Sequence, residues 1–89
     1  DSAMYAAKKG KIQKASDQLN RMMIDDPDRS DLLYDAGDMA HDLDKFDEAA
    51  AYFSRAAVCG GKDKKLCFQS HFNAGNACVA QKKLQCALE

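Results

Sequence analysis

Through the middle of the chain, apolar and small residues recur at three- and four-residue steps. Leu32, Leu33, Ala36, Gly37, Ala40 and Leu43 form one such series, and Phe46, Ala49, Ala50, Phe53, Ala56 and Ala57 form the next. Such steps place side chains on one face of an α-helix, so each series predicts an amphipathic helix with a single buried side. The same criterion extended along the chain predicts helices near residues 2–9, 11–24, 30–43, 46–59, 64–81 and 84–89. Ser30, just ahead of Leu32, is placed as an N-cap, and Gly60–Gly61 as a C-terminal stop. The small residues Gly37, Ala49 and Ala56 would let the two central helices approach closely, with Phe46 and Phe53 filling the space beside them.

The pattern also repeats at longer range. Gly10, Ile12, Ala15, Leu19, Met22 and Pro27 fall in order in a first copy. Phe46, Ala49, Phe53 and Ala56 follow in a second, and Gly75, Leu84 and Ala87 in a third. Ala15 and Ala49 are 34 residues apart, whereas Ala49 to Ala87 and Gly37 to Gly75 each span 38. The four extra residues fall within CGGKDKKLCF. A period of about 34 residues built from two helices and a turn marks the tetratricopeptide repeat. The chain resembles that family over essentially its whole length, most closely in LLYDAGDMAHDLDKFDEAAAYFSRAA, residues 32–57. It departs from the family pattern where Leu33 replaces an early Trp, where Ala40 stands at a common Tyr position, and where only Pro27 keeps the closing Pro.

The resemblance implies an all-α fold of helix–turn–helix repeats, stacked into a short right-handed α-solenoid. Residues 1–89 would then form a single domain fragment, with a partial repeat over 1–29, a full repeat over 30–63 and a partial repeat over 64–89. Because a repeat buries its apolar face only against its neighbours, open ends need polar caps or partners. The expectation is a piece of a longer protein able to form homo-oligomers through its open repeat ends.

Candidate binding chemistry sits on the first helix of the full repeat. Asp31, Asp35, Asp38 and Asp42 follow steps of four, three and four, which stacks them on a face offset from the apolar one. In the tetratricopeptide family such positions line a concave peptide-holding groove. The same alignment places Asn73 and Asn76 at the corresponding positions of the next repeat beside Gln69, with Tyr34, His41 and Phe72 flanking them. Like charges at this spacing cost only a few tenths of a kcal/mol each, so a merely solvated helix face is the competing explanation. If the groove is functional, its partner is a protein or peptide rich in Lys or Arg, with the asparagines bonding its backbone. Asn76 matches a residue of the chaperone-binding subgroup's basic clamp, but Tyr34 and Asp38 stand where that clamp's Lys and Asn are sought. An acidic tail is therefore disfavoured.

Charge narrows the function classes further. The first fourteen residues carry four lysines against Asp1, whereas residues 25–48 hold ten acids against Arg29 and Lys45. Residues 62–83 are basic again, with five lysines and Asp63. An acidic middle between basic ends does not suit nucleic acid, which calls for one continuous basic face. No apolar run is long enough to insert directly into a membrane.

No cofactor, metal or catalytic centre is expected. The four aspartates would be spread over about 16 Å of helix, too far apart to converge on a cation. Cys59, Cys67, Cys78 and Cys86 have seven, ten and seven residues between them, where zinc sites favour two to four. They are read chiefly as free thiols in a reducing, cytoplasmic setting, Cys78 taking a small core position, with a Cys59–Cys67 bridge or a metal site as the alternative. Cys67 and His71 could be written as a nucleophile pair, but nothing supplies a pocket or oxyanion donors. The function expected is a protein–protein interaction scaffold, not an enzyme. The alternatives are a self-associating assembly segment and a regulatory region of a larger complex.

Overall fold

The computed structural model describes residues 2–57 and 63–88, and every regular element among them is an α-helix. In chain order these are α1 (Ser2–Asp25), α2 (Ser30–Asp42), α3 (Phe46–Ala56) and α4 (Lys64–Leu88). None of them is long and apolar enough to cross a membrane.

The central pair follows the apolar periodicity closely. Leu32, Leu33, Ala36, Gly37 and Ala40 are the buried residues of α2, and Ala49, Phe53 and Ala56 those of α3. Burying a residue as large as Phe contributes roughly 1.5–3 kcal/mol, and Phe53 is only 1% exposed. Its ring meets Tyr34 edge-on, with centroids 5.4 Å apart, a geometry worth about 0.5–1.5 kcal/mol beyond the area buried. Phe46 is only half-buried and makes a similar edge-on contact with His41 at 5.0 Å.

Two apolar clusters join this pair to its neighbours, and Tyr52 packs against both. Leu19 of α1 packs with Leu32 and Ala36, against Met23, Met39 and Tyr52. Ala77 of α4 packs with Ala40, Ala49 and Phe53, against Tyr34, Ala50 and Ala74. Helix α4 packs extensively against α3 and only sparsely against α2, which leaves a furrow between α2 and α4 with α3 beneath.

The α2–α3 turn is closed by backbone bonds at both ends of α2's last turn. The Lys45 N–H donates to the Ala40 carbonyl at 2.9 Å and the Asp44 N–H to the His41 carbonyl at 3.0 Å, while Asp44 adopts φ = 60°. This is a Schellman motif with aspartate in the left-handed position usually held by glycine. Polar side chains tie α1 to the same turn. The Lys9 ammonium meets the Asp44 carboxylate at 3.1 Å, and Lys45 Nζ donates to Gln13 Oε1 at 3.5 Å.

Several sequence-based expectations are corrected. The predicted break at residue 10 is absent: α1 is one continuous helix through Gly10. One interior glycine costs only about 1 kcal/mol against alanine, and its Ala- and Lys-rich flank favours helix. Likewise α4 runs unbroken past residue 83, so residues 84–88 continue it and do not start a new helix. Ser30 is the first helical residue of α2; the N-cap is Arg29, in extended conformation and without a side-chain capping bond to the helix backbone. Helix α3 ends at Ala56, with Ala57 as its C-cap. The Gly60–Gly61 stop and Cys59 lie outside the described residues, as do the side chains of Cys86 and Ala87. Cys78 is exposed, and Ala77 fills the core position beside it. Cys67 is disulfide-bonded, which corrects its assignment as a free thiol. Its Sγ, having no proton to donate, rests 3.6 Å from the Ala57 carbonyl oxygen.

The α4 start holds a cap that the periodicity did not reveal. The Leu66 N–H donates to Asp63 Oδ1 at 2.9 Å, which makes Asp63 the N-cap.

Candidate functional site

The furrow between α2 and α4 opens into a cleft of about 310 Å³ lined by Asp38 and His41 from α2, Phe53 from α3, and Asn73 and Asn76 from α4. Each contribution has a local cause. Asp38 and His41, three residues apart on α2, lie beside its buried stripe. Asn73 and Asn76 bear the same relation to Ala77 on α4. Phe53 sits deepest, because its ring is wedged against Gly37.

One hydrogen bond spans the furrow. The Asn73 Nδ2 donates to the Tyr34 hydroxyl at 2.7 Å, pinning α4 to α2 and using one of that carboxamide's two N–H groups. The cleft offers as acceptors the Asp38 carboxylate and the carbonyls of Asn73 and Asn76, beside the carboxamide N–H groups that remain. Among the described residues, neither Asp38 nor Asn76 makes a hydrogen bond or ion pair.

Partial burial raises the Asp38 pKa above the ordinary carboxylate value. Asp42 and Asp35 raise it further, and His41 acts in the opposite direction. The carboxylate thus sits where its charge is poorly compensated.

The other aspartates of the stripe have different surroundings. Asp31 accepts from the Arg29 guanidinium at 2.9 and 3.2 Å, at the entry to α2. Asp42 faces α1, where it lines a small hollow of about 110 Å³ with Lys8, Lys9 and Ile12. Asp35 is exposed. The stripe's four aspartates therefore have four distinct environments, and only Asp38 joins the cleft. Of the remaining candidates, Tyr34 participates through Asn73, whereas Gln69 and Phe72 are exposed and do not line the cleft. Phe53, read from the sequence as core alone, contributes a wall. Its neighbourhood with Gly37 was the signal that could have placed it there.

Outside the cleft, Phe68 and Phe72 of α4 are 72% and 64% exposed, and Val79 is also exposed. With steps of four and seven residues, the three share one helical face. No group of three or more His, Cys, Asp or Glu side chains capable of holding a metal occurs among the described residues.

The chain matches no family model, no curated protein and no solved structure.

Proposed function

We propose that this chain is a protein–protein interaction module that holds a basic segment of a partner along the α2–α4 furrow. The observation that carries this reading is the convergence of Asp38, His41, Asn73 and Asn76, from two helices distant in sequence, on a single cleft. A groove between rigid helices presents its polar groups without first having to fold, which lowers the ordering cost of binding. The carboxylate attracts cations, and the carboxamides satisfy backbone or side-chain donors. We further propose that α2 and α3 form one tetratricopeptide-like repeat of a right-handed solenoid. The tight Gly37–Phe53 packing supports that reading, while the unbroken α1 and α4 depart from the repeat pattern.

The bonded Cys67 favours an oxidising compartment over the cytoplasmic one expected from the sequence. The test of the main reading is fluorescence-anisotropy titration of the 89-residue chain with lysine- and arginine-containing peptides and with acidic peptides, at low and high salt. Selective, salt-sensitive binding of the basic peptides supports it, and equal or absent binding refutes it.

A second reading rests on the exposed face of α4, where Phe68, Phe72 and Val79 would be covered if the chain self-associated. Light-scattering mass that rises with concentration, and falls on Phe68→Ser with Phe72→Ser, supports this reading.

A further inference from the structure

We infer that the α2–α4 cleft is a pocket for one arginine side chain. This deepens the reading of the furrow as a basic-segment site and rests on it.

The hydrogen-bonding groups that the cleft offers decide which ligand it can hold. One N–H of the Asn73 carboxamide is engaged by Tyr34 at 2.7 Å, which leaves its carbonyl oxygen and a second N–H. Asp38 contributes a carboxylate and Asn76 a carboxamide, neither with a hydrogen bond or ion pair among the described residues. The Asp38 carboxylate and the two carboxamide carbonyls together suit a ligand group rich in donors and carrying positive charge.

Arginine fits this array better than lysine for three reasons. Its guanidinium offers five N–H donors in a rigid plane and can serve a carboxylate and separate carbonyl acceptors together. A lysine ammonium is a compact point charge that holds its water more strongly, so moving it into a partly enclosed cleft costs more. The Phe53 wall supplies apolar surface along which methylenes of a long side chain can lie while the charged head meets polar groups. A volume of about 310 Å³ suits a single side chain and not a folded element.

Asp38 also has a physical reason to accept this ligand. Burial and the neighbouring carboxylates of Asp42 and Asp35 disfavour its charge, and an incoming cation relieves that disfavour. Asp31, already paired with Arg29, and Asp42, turned toward the α1 lysines, gain less from a ligand in the furrow.

The test uses the whole 89-residue chain and three small probes: N-acetylarginine amide, N-acetyllysine amide bearing a free ε-amine, and N-acetylcitrulline amide. Binding is followed by NMR through the side-chain amide signals of Asn73 and Asn76. The expected result is saturable shifts at both asparagines with the arginine probe, about tenfold tighter than citrulline and several-fold tighter than lysine. Asp38→Asn should weaken arginine binding about tenfold, whereas Asp31→Asn should leave it unchanged. Circular dichroism confirms that both variants remain helical. Equal binding of lysine and arginine, or an Asp38→Asn variant that binds as the parent does, overturns the arginine pocket. The groove reading then survives if longer basic peptides still bind. Absence of binding by both the arginine probe and basic peptides overturns both.

Discussion

A Cβ added at Gly37 would lie 2.7–2.9 Å from three ring carbons of Phe53, closer than any real Cβ contact tolerates. The missing side chain on α2 is what lets the α3 phenyl ring lie directly against the α2 backbone. Because Phe53 is almost fully buried between α2 and α4, its ring has little room to retreat. Gly37→Ala should therefore destabilise the fold by about 1–3 kcal/mol, the usual cost of overpacking, in spite of alanine's better helix propensity. Gly10 and Gly75 are the controls: a Cβ at either meets nothing within 4 Å. Gly10→Ala and Gly75→Ala should each stabilise by about 0.5–1 kcal/mol. Urea unfolding of the three variants checks the contrast. Stabilisation by Gly37→Ala would mean that α2 and α3 pack less closely than described.

Asp44 holds the left-handed position of the turn between α2 and α3. Aspartate is tolerated there, whereas a β-branched residue is strained. Asp44→Val should cost about 1–2 kcal/mol, mostly from that strain and only slightly from losing the exposed Lys9 ion pair. Lys9→Ala, which removes the ion pair while leaving the backbone at Asp44 unstrained, should cost no more than about 1 kcal/mol. Thermal melts of the two variants separate the contributions.

Ser70 is fully buried on α4, and its hydroxyl has no hydrogen-bond partner among the described residues. Removing an unsatisfied buried hydroxyl at nearly constant volume relieves a desolvation cost. Ser70→Ala should stabilise the protein by about 1 kcal/mol, read as a higher urea midpoint at unchanged slope. Loss of stability would indicate that the hydroxyl is bonded in solution.

These relationships explain how far the sequence could be read. The α2–α3 pair was legible because each helix is amphipathic and its small residues fall where the helices meet. Gly10 and Gly75 resemble Gly37 in sequence, but only Gly37 has a neighbour pressed against it. Treating glycine as punctuation therefore split α1, whose flanking residues hold the helix together. In the cleft, helical offset set Asp38 apart from the apolar face, while His41, Asn73 and Asn76 were named through the repeat resemblance. It could not reveal that Arg29 engages Asp31, or that Asp42 turns toward Lys8 and Lys9, because those relations depend on chain geometry at the helix entry and on the placement of α1. Nor does periodicity report hydrogen bonds such as Asn73 to Tyr34, between residues far apart in the chain.

Asp38 should make stability depend on pH in an unusual direction for a carboxylate. Its pKa is raised in the fold, so the folded protein binds a proton there more readily than the unfolded chain does. The penalty is fully present above the raised pKa, is relieved as pH falls through it, and is gone below the unfolded value of 3.8. Asp38→Asn should accordingly raise stability at pH 7 by a few tenths of a kcal/mol, the scale of like-charge pairs on one helix face. That gain should fade as Asp38 becomes protonated in the parent protein. Urea unfolding of parent and variant between pH 3 and pH 7 checks it, and a gain that grows on acidification would contradict the assignment.

The central claim is that the α2–α4 furrow holds a basic partner segment, and peptide titration of the parent chain beside Asp38→Asn tests it most directly. The account predicts that arginine-containing peptides bind the parent, more weakly at high salt, and that Asp38→Asn reduces their affinity about tenfold while leaving the helical content intact. Binding that ignores both salt and Asp38, or a preference for acidic peptides, would contradict it.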